Sequence, residues 1–213
     1  MASEVVDLGC PEEKVRVHHL GVAIDEIEFR PRQYEPGEPL RVLLAASFRE
    51  KKGIPYAMEA LGRLRRTVPV EVTIIGGVAE IPILGPITKP ASGSAAEKER
   101  IEAAIEKWDL GDAVRMLGYQ PHDRLMAEAY DHHLFLSPSV TASDGETEGG
   151  APVTLIEMSA SGMPIVSTTH CDIPSVVPHG ESGLLAPERD ADALVDLLYR
   201  LVEHPARWGE MAE

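Results

Sequence analysis

The sequence SDGETEGGAPVTLIEMSASGMP, at residues 143–164, carries the clearest structural pattern in the chain. Its polar, acidic first half ends in two consecutive glycines. Pro152 follows at a position that suits the first turn of a helix, where the missing N–H of proline costs nothing. Residues 153–161 then predict a helix that is apolar almost all round, and such a helix is normally buried. The middle of this helix holds one carboxylate, Glu157.

This element predicts a binding site for a ligand that carries both a phosphate and hydroxyl groups. Flexible glycines before a helix form an anion site, because the first helical N–H groups have no partner within the helix. A carboxylate in an apolar helix needs a partner or a cavity, since burying it alone is costly. Glu157 would meet hydroxyl groups of the same ligand. The alternative is that Glu157 projects outward from a partly exposed helix.

Composition and charge narrow the possible partners. The chain has 213 residues, of which 44% are hydrophobic, so it can build the core of one generous α/β domain. Its 20 Lys and Arg against 35 Asp and Glu give a net charge of −15. Such a field repels nucleic acids and anionic membrane surfaces, so we expect neither as a partner. A phosphate site should therefore stand out as a local basic cluster.

Two cysteines, Cys10 and Cys171, do not make a disulfide framework, which favours a reduced, intracellular setting. The first residues, MASEVVDLG, lack the basic-then-apolar pattern of a secretion signal. No apolar run approaches the length of a membrane span. These observations predict a cytoplasmic chain without direct membrane insertion.

The pattern along the chain predicts strands that alternate with helices. Residues 1–39 read as the tail of a missing N-terminal domain with its linker, or as an extension of the domain; they hold one expected strand within 15–24 and a linker at 30–39. The expected strands from residue 40 onward are 41–46, 70–75, 113–117, 133–136, 165–168 and 183–186. The expected helices are 54–67, 95–108, 123–130, 153–161, 173–177 and 191–203, with another beginning at 205 and a long loop at 78–94.

Strands alternating with helices predict an α/β fold, a Rossmann-like parallel sheet with helices on both faces, over residues 40–213. Ligands of such folds bind beyond the carboxyl ends of the strands. The loops expected at that edge are 47–53, 76–80, 118–120 and 139–151.

The first of these loops holds the basic cluster that the charge argument requires. Arg49, Lys51 and Lys52 precede Gly53 and a helix, where phosphates commonly bind. The alternative is an ordinary solvated basic turn. The glycine patterns G-x-G-x-x-G and G-x-x-x-x-G-K-[ST] are absent, which weakens dinucleotide-binding and nucleoside triphosphatase functions. Glu148, just before the two glycines, is the second candidate acid, although it could be a plain loop carboxylate.

No metal site is predicted. Asp144 and Glu146 form an acidic pair without an evident third ligand. The pairs at 18–19 and 132–133 are adjacent histidines in or beside expected strands, where neighbouring side chains point to opposite faces. His170 and its neighbouring cysteine form an isolated pair. All of these are more often structural.

The run E-G-G-A-P-V-T-L-I-E-M-S-A-S-G-M-P-I-V, residues 148–166, resembles the donor-binding signature of retaining glycosyltransferases of family four, which have the GT-B fold. Other motifs follow the order of that family: FREKKG, IIGG, LGYQP, FLSPS and HGESGLL. The resemblance covers residues 40–203, and residues 11–30 resemble the passage leaving the family's N-terminal domain. It implies one half of a GT-B enzyme, with a UDP- or GDP-sugar as donor substrate and no other cofactor.

The resemblance also implies roles for individual residues. Glu157 would hold the ribose hydroxyls, Glu148 would face the hydroxyls of the donor sugar, and Lys52 would hold the diphosphate as leaving group. A fixed cation and a helix N-terminus favour the charge that develops on that diphosphate, and in this fold they can replace a metal ion. The amides expected to approach sugar and diphosphate are those near Gly149, Gly150, Thr154 and Leu155. The residues expected to border the base and phosphates are Gly76, Gly77, Gly118 and Tyr119.

Two departures from the family pattern concern the site. Eight residues separate Glu148 from Glu157, whereas seven are usual. Ser47 stands where the family has an arginine, and Arg49 is the candidate replacement, approaching from a different direction.

The resemblance implies that the chain is half of an enzyme, since no acceptor domain of comparable size fits before residue 40. We therefore expect the isolated chain to bind nucleotide weakly and to transfer no sugar. The expected function is sugar transfer to a glycan, lipid or small molecule, in bacterial polysaccharide or glycoconjugate biosynthesis. Two alternatives stay open: half of a sugar-nucleotide epimerase or glycan phosphorylase, and a flavodoxin-like nucleotide-binding domain without catalysis.

Overall fold

The protein is built on one six-stranded parallel sheet. The computed structural model describes residues 2–18, 20–78, 80–84 and 87–212. The strands of this sheet are β1 (Leu40–Ala45), β2 (Val70–Ile75), β5 (Val114–Gly118), β6 (Leu134–Ser137), β7 (Ile165–Thr168) and β8 (Leu184–Ala186). A separate antiparallel pair consists of β3 (Glu80–Leu84) and β4 (Ile87–Pro90). The order across the main sheet is β5-β2-β1-β6-β7-β8.

Helices cover both faces of this sheet. The helices are α1 (Ala2–Asp7), α2 (Ile54–Leu64), α3 (Ser94–Lys107), α4 (His122–Asp131), α5 (Val153–Ala160), α6 (Ile173–Val176), α7 (Ala191–Glu203) and α8 (Trp208–Ala212). Strand β1 shows why two layers form, because Val42 and Leu44 join a core with α2, α3, α7 and α8. Its Leu43 joins a second core with α4, α5 and α6 on the opposite face. The Rossmann-like fold predicted from the sequence is confirmed.

The strand order fixes where a ligand can bind. From β1 the chain builds outward to β2 and β5, then returns to the other side of β1 to build β6, β7 and β8. The order therefore reverses between β1 and β6. In open α/β sheets the crevice at this reversal, beyond the carboxyl ends of the strands, is the usual binding site.

Most predicted elements are present with ends shifted by at most three residues, and three expectations were wrong. The expected loop at 78–94 contains β3 and β4, and proline is tolerated in such a short edge ladder. No described residue of 15–24 lies in a strand; a 3-10 turn spans Ile24–Glu26 instead, and Val17 is exposed. His19 lies outside the described residues.

The third wrong expectation concerns burial of α5. Only Leu155 and Met158 of this helix are buried, and Val153 is 43% exposed. The apolar residues of α5 thus exceed what its one buried face requires. None of the described helices is both long and apolar enough to cross a lipid bilayer.

Residues 30–34 pack onto the domain that follows them. Arg32 is buried and donates hydrogen bonds to the carbonyl oxygens of Ala129, His132 and Ser161. The ring of Tyr34 stacks on Trp208 at 5.6 Å between centroids. The division of the chain at residue 39 stays a prediction.

The two histidines at 132–133 are structural. His132 bonds to the Glu128 carbonyl and, at 2.8 Å, to the Thr73 hydroxyl. The Nδ1 atom of His133 accepts the Arg41 N–H at 3.2 Å. Burial, followed by the nearby Arg41 guanidinium, lowers the pKa of His133 to about 4.

We expect His133 to make stability fall on acidification. Its pKa is lower in the folded state than in the unfolded chain, so the unfolded chain takes up the proton first as the pH falls below about 6.5. Between that pH and about 4, the free energy of unfolding of the wild type should fall by about 3 kcal/mol more than that of His133→Gln. Urea unfolding at a series of pH values measures this, with the exposed His204→Gln as control. Parallel profiles for wild type and His133→Gln would contradict it.

A second prediction concerns Gly53, which has the left-handed φ of 62° and directly precedes α2. A Cβ at this position would lie 1.9 Å from the carbonyl oxygen of Pro138. Gly53→Ala should therefore lower the free energy of unfolding by about 2–3 kcal/mol in urea. Gly111→Ala is the matched control, because a Cβ there meets no atom within 4 Å. A loss no larger than the control's would show that the loop shifts without cost.

Candidate functional site

The loops that follow β1 and β6 meet at the reversal of the strand order. The first carries the basic cluster at 49–52, and the second is the acidic loop, defined here as residues 141–148. The N–H of Val140 donates to the Lys51 carbonyl at 2.8 Å, so backbone links the two loops. Close contact is possible because Gly53 has no side chain to strike Pro138. The fold therefore sets charged residues from distant parts of the chain face to face.

Glu148 and Lys52, the two predicted catalytic residues, form an ion pair. The Lys52 Nζ lies 2.8 Å from Oε1 of Glu148 and 2.9 Å from its Oε2. The buried Ser139 hydroxyl donates to the same carboxylate at 2.9 Å. With its side chain only 6% exposed, Glu148 is held firmly at the end of β6. It is not a plain solvated loop carboxylate.

The rest of the basic cluster is also paired. Arg49 contacts Glu146 at 2.7 Å, and Lys51 lies 3.2 Å from the same side chain. The Lys51 Nζ also donates to the Thr147 carbonyl at 3.0 Å. Three cations of the basic cluster thus pair with two carboxylates of the acidic loop, in a chain of net charge −15. The cluster is a built feature and not a solvated turn.

Arg49 reaches toward the acidic loop. It therefore lies at the predicted edge of the site, but its guanidinium is engaged with Glu146. Asp144 and Glu146 have separate structural roles. Oδ1 of Asp144 accepts the Glu146 N–H at 2.9 Å in a turn, and the Glu146 carboxylate forms the ion pair with Arg49. No group of three His, Cys, Asp or Glu side chains in the described part of the chain is placed to hold a metal ion.

The N-terminus of α5 follows the acidic loop through Gly149 and Gly150. Gly149 has a φ of 75°, which turns the chain toward the helix. The N–H of Leu155 donates to the Pro152 carbonyl at 3.0 Å, so this amide is used inside the helix. No acceptor among the described residues lies against the N–H of Thr154. Of the two predicted helical donors, Thr154 is therefore the one open to an anion.

Glu157 is largely enclosed rather than directed into bulk water. Its side chain is 14% exposed, and Oε1 lies 3.0 Å from Nε2 of His122 at the start of α4. The acid in the apolar helix thus has the partner that its burial requires. The sequence interpretation missed His122, although it directly follows the LGYQP motif at the carboxyl end of β5. Its approach to Glu157 depends on how α4 and α5 pack.

The predicted base-binding residues also lie together. Gly76 has a φ of 124°, and a Cβ there would lie 1.9 Å from the Ala46 carbonyl oxygen. The N–H of Gly76 donates to the Gly118 carbonyl oxygen at 2.9 Å, and this hydrogen bond joins the ends of β2 and β5. The Tyr119 hydroxyl donates to the Gly77 carbonyl at 3.3 Å, and the tyrosine is 59% exposed. These residues form a second part of the same sheet edge.

The sequence has clear relatives among known proteins. It is 36% identical over 203 residues to the amylovoran biosynthesis glycosyltransferase AmsK of Erwinia amylovora, covering 95% of this chain and 46% of that protein. It is 38% identical over 199 residues to the putative colanic acid biosynthesis glycosyltransferase WcaL of Escherichia coli (strain K12), covering 92% and 44%. The chain thus spans less than half the length of these two relatives.

The fold has relatives among solved structures. It is similar to Anabaena Alr3699/HepE in complex with UDP and glucose, with a TM-score of 0.77 and 16% identity, covering 100% of this chain and 54% of that one. It is also similar to the C-terminal domain of a glycosyl transferase group 1 family protein (LpcC) from Francisella tularensis, with a TM-score of 0.68 and 15% identity, covering 91% and 93%. The family model "Glycosyl transferases group 1" matches residues 25–213. This chain therefore belongs to the glycosyl transferases group 1 family.

Proposed function

We propose that this chain is the donor-binding part of a retaining glycosyltransferase that uses a nucleotide diphospho-sugar. The observation that carries the proposal is the contact of Lys52 with Glu148 at the reversal of the strand order, beside the N-terminus of α5. A cation and a carboxylate at one point suit a ligand with an anionic group joined to a hydroxylated one. A nucleotide diphospho-sugar has this chemistry.

Lys52 and the first amides of α5 would hold the diphosphate. Breaking the bond between sugar and phosphate moves negative charge onto the leaving diphosphate. A fixed ammonium group and a helix N-terminus stabilise that charge without having to reorganise. We propose that these groups do so without a metal ion. Lys52 must exchange part of its contact with Glu148 for the phosphate, and Glu148 then becomes available to sugar hydroxyls.

Glu157 would bind the ribose, with its second oxygen free of the His122 contact. A carboxylate accepts hydrogen bonds from two neighbouring hydroxyls, which a ribose presents. Gly76, Gly77 and Tyr119 would border the base. Because the backbone at Gly76 and the exposed Tyr119 ring form an open edge, either uridine or guanosine could be accommodated, and the donor is a UDP- or GDP-sugar.

The acceptor would be bound by a second domain. The two relatives named above are more than twice as long as the matched part of this chain, which supports an N-terminal acceptor-binding domain as the partner. Their names refer to amylovoran and colanic acid biosynthesis, so we propose a role in bacterial polysaccharide or glycoconjugate biosynthesis. Cytoplasmic location stays a prediction. Family membership favours this function over an epimerase or phosphorylase half, or a flavodoxin-like domain.

Calorimetric titration with UDP, GDP and FMN tests the proposal. One nucleoside diphosphate should bind saturably, and Glu157→Ala should weaken it by about tenfold to a hundredfold, since hydrogen bonds to a charged group are lost. The exposed Glu181→Ala is the control. The isolated chain should transfer no sugar from a labelled donor to a mixture of acceptors. Binding of FMN alone would contradict the proposal.

Lys52→Ala should separate the diphosphate from the nucleoside. The affinity for the nucleoside diphosphate should fall by about tenfold to a hundredfold, because a charge-assisted contact is lost, while the affinity for the nucleoside alone should stay the same. Calorimetry on both ligands measures the difference. Lys98→Ala, an exposed lysine of α3, is the control. An equal loss for both ligands would assign Lys52 a structural role.

Glu148→Gln should have opposite effects on two ligands. The carboxylate competes with an anion for Lys52, so its neutralisation should tighten binding of inorganic pyrophosphate by about threefold. A nucleotide diphospho-sugar should bind the wild type more tightly than the nucleoside diphosphate does, because its sugar contacts Glu148. Glu148→Gln should reduce this difference in affinity. Weaker binding of pyrophosphate would show that Glu148 supports the lysine rather than competing with the ligand.

A further inference from the structure

His170 is a buried titratable group that the proposed chemistry does not use. It follows the carboxyl end of β7, and it is 1% exposed although both of its neighbours in the chain are exposed. Its sequence position gives no reason for burial, because residues after a parallel strand usually lie in a surface loop. Its hydrogen bonds supply that reason.

Both nitrogens of His170 have partners. Nε2 lies 3.1 Å from the backbone nitrogen of Glu148, whose N–H donates to it. Nε2 must therefore be the nitrogen without a proton, and Nδ1 carries the hydrogen of the neutral ring. Nδ1 lies 2.6 Å from Oε1 of Glu188 and donates to it. The Sγ of Cys171 is also 3.2 Å from Nε2.

Glu188 binds the other end of the acidic loop. Its Oε2 accepts the backbone N–H of Thr141 at 2.7 Å, and its Oε1 lies 3.4 Å from the Thr141 hydroxyl. Partial burial raises the pKa of Glu188. The hydrogen bonds from Thr141 and His170 lower this pKa by more, so the net pKa is below the usual value. The carboxylate is thus ionised and an acceptor for both groups at neutral pH.

We propose that His170 and Glu188 form a positioning dyad that fixes both ends of the acidic loop and thereby sets the direction of the Glu148 carboxylate. The dyad bonds the main-chain amides of the first and last residues of that loop, Thr141 and Glu148. Neither His170 nor Glu188 forms a hydrogen bond or an ion pair with Lys52. The effect of the dyad on the ligand therefore passes through the loop.

The need for such a dyad follows from the charges of the loop. Asp144, Glu146 and Glu148 are close together in sequence, and like charges held near one another repel. The basic cluster offsets this repulsion, but a ligand with a diphosphate would compete for the same cations. Because the dyad bonds backbone amides at both ends of the loop, it keeps the loop in place while those ion pairs exchange. The effect of the dyad on the ligand rests on the proposed function, whereas its effect on the loop does not.

Amide hydrogen exchange of the ligand-free chain tests the dyad directly, by NMR at the Thr141 and Glu148 amides. His170→Ala should speed exchange at Glu148 by about tenfold, because one buried hydrogen bond is lost. His170→Gln should restore most of the protection, since its side-chain oxygen can accept the same N–H. Glu188→Ala should speed exchange at both amides.

Two controls make the exchange result decisive. Cys171→Ala changes the other group beside Nε2 but removes no bond to the loop, so exchange should stay as in the wild type. The amide of Trp108, which donates to the Ala104 carbonyl at the end of α3, exchanges by opening of that helix end and should be unchanged in every variant. Wild-type exchange at Glu148 in His170→Ala would overturn the dyad. So would equal acceleration at Trp108, which would show general destabilisation.

Ligand binding then tests the consequence for Glu148. With UDP-glucose and UDP as probes, His170→Ala should weaken UDP-glucose about fivefold and leave UDP within about twofold, because only the sugar faces Glu148. His170→Gln should recover the difference. Equal weakening of both probes would overturn the effect on Glu148. If the wild type binds neither UDP, UDP-glucose, GDP nor GDP-mannose, the proposed function fails, while the exchange experiment still decides the dyad.

Discussion

The site depends on one close approach of backbone to backbone, between Gly53 and the carbonyl of Pro138. Neighbouring parallel strands leave a sheet side by side, about 4.8 Å apart, so the loops after β1 and β6 must either diverge or pack. Here they pack, because a left-handed glycine leaves room for the carbonyl and the Val140 amide bonds to Lys51. Every ion pair between the basic cluster and the acidic loop follows from this contact.

The contact also explains how a strongly acidic chain keeps a basic cluster. Long lysine side chains on an isolated turn would be solvated and would lose side-chain entropy on ordering. Here each cation has an acidic partner on the facing loop, and the backbone of both loops is already fixed. Lys52 and Glu148 are therefore ordered before any ligand arrives, and a ligand exchanges existing contacts instead of organising free side chains.

Local pattern predicted the elements, and packing decided the rest. The strands at 70–75 and 165–168 and the helix at 191–203 were predicted with their observed ends, because buried runs and an amphipathic repeat are local signals. The pair β3 and β4 was missed, since its prolines read as a loop. His122 was missed, and His170 was noted only as part of an isolated pair, because their partners, Glu157 and Glu148, lie 35 and 22 residues away.

These two histidines bear on the unusual spacing of the acid pair. An extra residue between Glu148 and Glu157 would displace Glu148 if α5 alone positioned it. Glu148 is instead held by Lys52, by Ser139 and, through its amide, by His170, none of which belongs to α5. Glu157 is held separately by His122. The turn at Gly149, where a Cβ would meet no atom within 4 Å, can therefore absorb the additional residue without moving either carboxylate.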